Sequence, residues 1–259
     1  MKNNTISQSM IEGAKKAGSI LKKAFDKNIL TEINKGKNYY DVTSKADTDS
    51  EDVIIKIITK RHPNVNILSE ESGFIDRGSL DTIVIDPLDG SSNFLLGIPH
   101  FSISIAHFNK GLITSSVVYN PILKKLYFAE KGKGAFLNDK KLFIKTRKGS
   151  SCISVNFSHK EKWEGKKLFY DKAYKFKIGR IMNNWSPNLD FCLLAENKID
   201  AVVSNDSLIF DFAPGFLIAK ESGCLEFPRL RKVDTTMKSS ASFVIAKNKA
   251  LSKKLYLTI

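Results

Sequence analysis

Residues 85–94 read Ile-Asp-Pro-Leu-Asp-Gly-Ser-Ser-Asn-Phe and follow directly on Thr82-Ile83-Val84. An apolar strand that runs into a carboxylate, with a second carboxylate three residues on, poses a physical problem. Burying an uncompensated charge is expensive, so Asp86 needs a partner. Aspartate and glycine are also ordinary turn residues. The stretch alone therefore admits a surface turn as well as a cation site, and the rest of the chain has to choose.

The chain has 259 residues, enough for one large domain or two lobes with a substantial core. The apolar and charged fractions, 42% and 26%, are those of an ordinary globular protein. No segment approaches the ~20 apolar residues of a membrane span, and the polar start MKNNTISQSM lacks the apolar core of a signal peptide. Cys152, Cys192 and Cys224 match no zinc spacing and read as buried small hydrophobes in a reducing, cytoplasmic setting. The net charge of +14 suits anionic ligands. The lysines look scattered along the sequence, without aromatic interleaving, which argues against a nucleic-acid binder.

Ile6, Met10, Ala14, Ala17, Leu21 and Phe25 recur every three or four positions and predict an amphipathic helix over 5–26, packed on the protein's own core. A second helix is predicted from Ser50 to Lys60, ending before Pro63, and Asn66-Ile67-Leu68 as a short strand that delivers Ser69, Glu70 and Glu71. Beyond Ile85 the period becomes two. Strands follow at Phe101–Ile105, Ile113–Tyr119 and Lys125–Ala129, and an Asn138-Asp139 hairpin turn leads to Leu142–Ile144. Gly132 and Gly134 break the segment between, and these strands predict an antiparallel sheet.

The polar run Thr146–Ser151 marks a boundary between lobes, placed at 1–147 and 148–259. In the second lobe, strands at Cys152–Asn156, Ala201–Ser204 and Phe243–Ala246 alternate with helices near Asn188–Glu196, Asp211–Ser222 and Asn248–Tyr256, an α/β pattern.

Carboxylates fall in four places: Asp47 in DVTSKAD, Glu70 in SEES, Asp86 and Asp89 in DPLDG, and Asp211 in IFDFAPG. Each stands where a predicted element starts or stops, and such ends gather at a crevice in α/β folds. Magnesium solves the problem of Asp86. It takes all-oxygen ligands, commonly one or two carboxylates together with waters and substrate phosphate. Asp86 and Asp89 then flank a tight turn between two ions, with the Leu88 carbonyl as a further ligand. Pro87 stiffens that turn, Gly90 lets backbone approach a ligand, and Ser91, Ser92 and Asn93 begin a short helix that favours phosphate. The histidines, His62, His100, His107 and His159, form no spaced set.

The motif Asp86–Phe94, followed by Gly97-Ile98-Pro99, Ser102–Ala106 and Gly132–Phe136 with Asn138, resembles the inositol monophosphatase family, in particular its bacterial SuhB-like branch. The likeness runs from about Asp41 to Gly223. It implies a two-lobed α/β (α+β) fold, a layered αβαβα sandwich of the sugar-phosphatase type, and a Mg²⁺-dependent, lithium-sensitive phosphatase acting on small phosphate monoesters. By this resemblance Glu70, Asp86 and the Leu88 carbonyl hold one metal, and Asp86, Asp89 and Asp211 a second. Asp47 orients waters or a third ion. Glu70 and the Ser91 hydroxyl position the attacking water, and the amides of Gly90 and Ser91 seat the phosphate, so that Glu70, Leu88, Asp89, Gly90, Ser91 and Asp211 together form the substrate side. Asp211 opens a helix with Pro214 in its first turn.

The sequence departs from the family at set places. Serine replaces threonine at 91 and keeps the hydroxyl. Trp185-Ser186-Pro187-Asn188-Leu189-Asp190 stands where members have Gly-Ser-Ala-Ala-Leu-Asp, which adds bulk near the pocket. Ser204 replaces a glutamate that contacts inositol, and Asn183-Asn184 an arginine pair. The metal motif is kept while the polyol side is changed. A sugar-bisphosphate or nucleotide 3′-phosphatase is the alternative within the class. The resemblance also implies a homodimer and, as a different kind of role, regulation by association with RNA polymerase.

Overall fold

The computed structural model describes residues 5–27, 32–34, 42–145, 151–158, 162–230, 235–236 and 239–259. The predicted lobe boundary at 146–150 and His159 lie outside them. In chain order the elements are α1 (Ile6–Asp26), β1 (Glu32–Asn34), β2 (Val42–Ser44), α2 (Lys45–Arg61), β3 (Asn66–Ser69), β4 (Gly73–Ile75) and β5 (Asp81–Asp89). Then come α3 (Ser91–Leu95), β6 (Ser102–Asn109), β7 (Leu112–Asn120), β8 (Lys125–Glu130), β9 (Gly134–Leu137) and β10 (Lys140–Leu142). The second half holds β11 (Cys152–Phe157), α4 (Trp163–Lys175), β12 (Arg180–Met182), α5 (Pro187–Ala195), β13 (Ala201–Leu208), α6 (Ile209–Glu221), β14 (Leu225–Phe227), β15 (Ser240–Ala246) and α7 (Lys249–Tyr256).

Two sheets carry the structure. The first has eight strands in the order β10-β9-β8-β7-β6-β5-β3-β4, antiparallel except for β3, which runs parallel to β5. The second has the order β12-β11-β13-β15-β14, with β12, β11 and β13 parallel and β15 and β14 antiparallel. Period-two alternation distributes their side chains over three apolar layers. Ile67, Ile83 and Ile85 meet Met10, Ala17 and Ile54 of α1 and α2. Leu68, Val84 and Ala106 point the other way, onto Phe191, Phe212 and Ala213 of α5 and α6, which also cover Val202 and Ile245. Val155, Val203 and Val244 face Phe169, Ala173 and Leu255 of α4 and α7. The layers run α1/α2, sheet, α5/α6, sheet, α4/α7, which is the αβαβα sandwich.

α1 matches its periodicity. Thr5 caps it with a reciprocal bond to Gln8, and Met10, Ala14, Ala17 and Leu21 are its buried stripe. α2 begins at Lys45 and not at Ser50: Ala46 and Asp47 of its first turn are buried, and in the next turn Ser50 Oγ donates to the Pro87 carbonyl at 2.9 Å. The final hairpin strand is β10, Lys140–Leu142, two residues earlier than expected, with exposed Phe143 beyond it. Asn138 supplies the turn in a left-handed conformation, φ 51°.

Three elements of the second lobe, α4, β12 and β14, escaped the sequence reading. The two strands have three residues each, too short to show alternation. α4 buries only Phe169 and Ala173, so its apolar stripe is thin. Cys192 and Cys224 are buried as read from sequence, whereas Cys152 is partly exposed. The lysines are neither scattered nor without interleaved aromatics: α4 and α7 lie side by side on the outer surface and gather many of them, with Trp163, Tyr170 and Tyr174 between those of α4. No helix among the described residues is long and apolar enough to cross a membrane.

Candidate active site

β5 does not end at Asp86. It continues through Asp89, with a break in register against β6 between those two residues, so the predicted tight turn is a β-bulge. Proline is tolerated there because a bulge does not need its missing N–H. Asp86 shares the face of Val84, toward α6, and its Oδ1 accepts the Leu88 N–H at 3.1 Å. Asp89 comes after the bulge and pairs in register with Ser102.

Gly90 closes the bulge at φ 96°, a conformation costly for other residues. A Cβ there would lie 3.1 Å from both the His100 carbonyl and Ser186 Cβ, so the backbone is packed on both sides. α3 starts at Ser91, whose Oγ donates to the Leu88 carbonyl at 3.0 Å and lies 3.5 Å from Asp47 Oδ1. α2 thus brings Asp47 to the motif. The parallel strand β3 brings Glu70, whose N–H donates to the Ile85 carbonyl at 3.1 Å, and α6 brings Asp211 in its first turn.

Asp47, Asp86 and Asp89 are each 2% exposed, whereas Glu70 sits at the open rim. Burial raises the Asp86 carboxyl well above the usual range, and the charges of Glu70, Asp89, Asp211 and Asp47 add to it. Asp89 rises to about 6, chiefly by burial, against hydrogen bonds from Ser186, Ser102 and Asn188 that pull it down. Asp211 rises to about 7, through burial and then the charge of Asp89. Mutual repulsion of this kind shows that the carboxylates share one neighbourhood. Among the described residues, no three such side chains already stand close enough to cage an ion.

The donor set still fits a hard cation. Asp89 Oδ2 accepts Ser186 Oγ at 2.6 Å and Ser102 Oγ at 3.0 Å, while Oδ1 is buried with no hydrogen-bond partner. A buried carboxylate oxygen without a donor, facing further carboxylates, is what an oxygen-ligated divalent ion would satisfy.

Helix α5 fastens the second lobe to this bulge. Ser186, just before it, also donates to the Asp89 carbonyl at 3.3 Å. Asn93 Nδ2 donates to the carbonyls of His100 and Asn184, both at 2.7 Å, and Asn184 Nδ2 in turn donates to Asp190 Oδ1 at 2.8 Å. Ser154 Oγ of β11 binds the other Asp190 oxygen at 2.6 Å. Asp190 is fully buried, and burial first, then the charge of Asp89, lifts it to about 7 against the bonds from Ser154 and Asn184. Sequence reasoning gave Asp190 no role, since an acidic residue near a helix start is ordinary.

Pro214 is the sixth residue of α6, inside the helix and not in its first turn. It has no N–H for the Phe210 carbonyl. Asn188 makes good the loss: its Nδ2 donates to the Phe210 carbonyl at 2.8 Å, and its Oδ1 accepts the Gly215 N–H at 2.9 Å. Asn188 is fully buried, so it does not bulk out a pocket. Asn188→Ala should leave both backbone groups unpaired and destabilise the protein by about 1–3 kcal/mol. That is a drop of roughly 2–9 °C in thermal midpoint, readable by calorimetry. An unchanged midpoint would show that Asn188 does not support α6.

Trp185 does stand at the site, in a left-handed conformation (φ 56°) suited to glycine, with its carbonyl 3.2 Å from the position of a Gly90 Cβ and its residue 56% exposed. Ser204 and Asn156 pair in register on β13 and β11, on the sheet face toward α5. Ser204 Oγ and Asn156 Nδ2 are buried without partners. His100 is held by the motif through its carbonyl, while its Nε2 is buried and unpaired, and burial lowers its pKa.

A sequence profile of the Inositol monophosphatase family matches residues 2–256. The chain is similar to "Nus factor SuhB" of Haemophilus influenzae, 34% identical over 220 residues, covering 83% of this chain and 82% of that protein. It is similar to "Inositol-1-monophosphatase" of Rhizobium meliloti, 33% identical over 227 residues, 86% of this chain and 85% of that one. Among solved structures, the extragenic suppressor protein suhB of Bartonella henselae superposes with a TM-score of 0.84 at 29% identity, covering 98% and 97% of the two chains.

Proposed function

This chain belongs to the inositol monophosphatase family, and we propose that it is a phosphatase that hydrolyses small phosphate monoesters. The observation that carries this reading is Asp89 Oδ1, buried and unpartnered, on a carboxylate that acts together with Glu70, Asp211 and Asp47 on Asp86. In this reading Glu70, Asp86 and the Leu88 carbonyl hold one Mg²⁺, and Asp86, Asp89 and Asp211 another. When bound, such ions lower the pKa of a water and neutralise charge on the attacking and leaving oxygens.

The protein's own groups do the positioning. Ser91 Oγ spends its proton on the Leu88 carbonyl and so offers a lone pair to a water proton. Glu70, at the rim, takes a proton from that water as its oxygen attacks phosphorus in line with the ester oxygen. The P–O ester bond breaks, and the leaving oxygen is protonated from solvent. The amides of Gly90 and Ser91 hold the phosphate, close enough because Gly90 has no side chain.

The substrate side is neutral where the family carries charge. Ser204 and Asn156 offer an unpaired hydroxyl and amide, and the exposed Trp185 has its backbone beside Gly90. Losing a charged hydrogen-bonding partner is worth about 1.5–3 kcal/mol, or roughly 10- to 100-fold in selectivity. The leading substrate is therefore expected to be an ester other than inositol 1-phosphate, with sugar bisphosphates and nucleotide 3′-phosphates as the first alternatives. The test is phosphate release from a panel of such esters, with and without Mg²⁺ and Li⁺. Release that requires Mg²⁺, falls with Li⁺ and is not highest on inositol 1-phosphate is expected. No Mg²⁺-dependent release from any ester would overturn the function.

A regulatory role is favoured as a second reading by the relatives called Nus factor SuhB, one of them in Escherichia coli at 33% identity. Here the chain would act by association with RNA polymerase, as a homodimer in the cytoplasm. Co-purification with the polymerase that persists in an inactive variant would separate this role from catalysis.

A further inference from the structure

The outermost layer carries a charge that the catalytic reading does not use. The stretch 162–177, which includes α4, together with α7, holds nine lysines against two side-chain carboxylates, Glu164 and Asp171. That excess of seven is half of the chain's net charge of +14. The two helices form one surface. Lys172 Nζ donates to the Leu257 carbonyl at 3.0 Å, and Lys254 Nζ donates to the Phe176 carbonyl at 3.2 Å and lies 4.8 Å from the centre of its ring.

Aromatic rings are interleaved with these lysines. Trp163, Lys167, Tyr170 and Tyr174 recur every three or four residues and so form one line along α4. They lie about a third of a turn round the helix from Phe169 and Ala173, which already anchor it to the core. Trp163 is 72% exposed and Tyr174 85%, so neither ring is spent on packing. Tyr170 is held as a fixed plane, edge-on to Phe169 with centroids 5.5 Å apart and tilted against Phe157 at 6.5 Å.

We propose that this face binds single-stranded nucleic acid, the lysines tracking the phosphates and the rings stacking on unpaired bases. An anionic membrane would attract the same charge, but interfacial binding needs a continuous apolar face. Here Lys167 and Asp171 interrupt the rings and pair with each other at 2.9 Å. α4 covers the side of the second sheet away from α5 and α6, so occupation of this face does not require the carboxylate site.

Fluorescence anisotropy of labelled single-stranded RNA and DNA of about 20 nucleotides tests this with the full chain. Binding at about 50 mM salt is expected, falling linearly on a log–log plot as salt rises. The Trp163→Ala/Tyr174→Ala double variant should bind about tenfold or more weakly. Lys167→Glu/Lys175→Glu should flatten the salt slope by about two. A duplex of the same length should bind less well, and phosphatase activity, as a measure of folding, should be unchanged in both double variants. Three results would each overturn the proposal: no binding at that salt, affinity insensitive to all four substitutions, or tighter binding to phosphatidylserine vesicles than to the oligonucleotides with the same variants weakened.

Discussion

Asp89→Asn is expected to lower phosphate release by about 10²–10³-fold or more, while the metal-free protein folds as well as before or better. Asparagine can still accept the Ser186 and Ser102 hydroxyls that hold Oδ2. Its amide would then replace Oδ1, the buried oxygen without a partner, and present two protons where a cation needs a lone pair. The same change removes a charge that raises Asp211 and Asp86. The Asp89 carboxyl is itself lifted to about 6, so neutralising it should stabilise the metal-free protein by on the order of 1–3 kcal/mol at neutral pH. Steady-state phosphate release and thermal melting in chelator measure the two halves. Activity within tenfold of the parent would remove Asp89 from the metal site. A melting point below the parent's would show that the carboxylate is needed for folding and not for the cation.

Mg²⁺ should stabilise the protein far more at pH 8 than at pH 5.5. Asp86, Asp89 and Asp211 all have folded-state pKa values above those of an unfolded chain. The folded, metal-free protein therefore binds more protons than the unfolded one between about pH 4 and 7, and its stability falls as pH rises through that window. Above about pH 7 Asp89 and Asp211 are charged and repel one another, and a divalent cation removes the repulsion. Below about pH 5.5 protons compete with the cation. The gain in melting temperature on adding Mg²⁺ is expected to be about 5–10 °C at pH 8 and at most about 2 °C at pH 5.5. His62, His100 and His107, whose pKa values are lowered mainly by burial, shift stability in the opposite direction, but equally with and without the ion. Asp190, which the charge of Asp89 helps to raise, loses that push when a cation neutralises Asp89, and so adds to the gain at pH 8. Equal gains at the two pH values would refute a shared carboxylate cluster.

Much of this was legible in the residues. The alternation of Ile83, Val84 and Ile85 marks a strand buried on both faces, and the carboxylate after it demands a partner. The spacing of α1 fixed its length to within one residue. The carboxylates whose charges act on Asp86, namely Glu70, Asp89, Asp211 and Asp47, could be named in advance, whereas Asp190 could not. What could not be read were features held by distant contacts. The extra first turn of α2 buries Ala46 and Asp47, and Asn188 serves α6 because Pro214 leaves a carbonyl free. Neither contact leaves a trace in local spacing.

By itself the sequence determined which residue types stand at which strand and helix ends, and hence that carboxylates and a conformationally free glycine occur together at the end of β5. Periodicity and turn chemistry are local properties of the chain, so they survive without a fold. Only the tertiary structure decided that the motif is a bulge and not a turn, that Asp190, Asn184 and Asn93 tie it to the second lobe, and that lysines far apart in sequence meet on α4 and α7. Those outcomes depend on which surfaces come into contact across the sheets. Contact at long range follows from burying the apolar faces of all five layers at once.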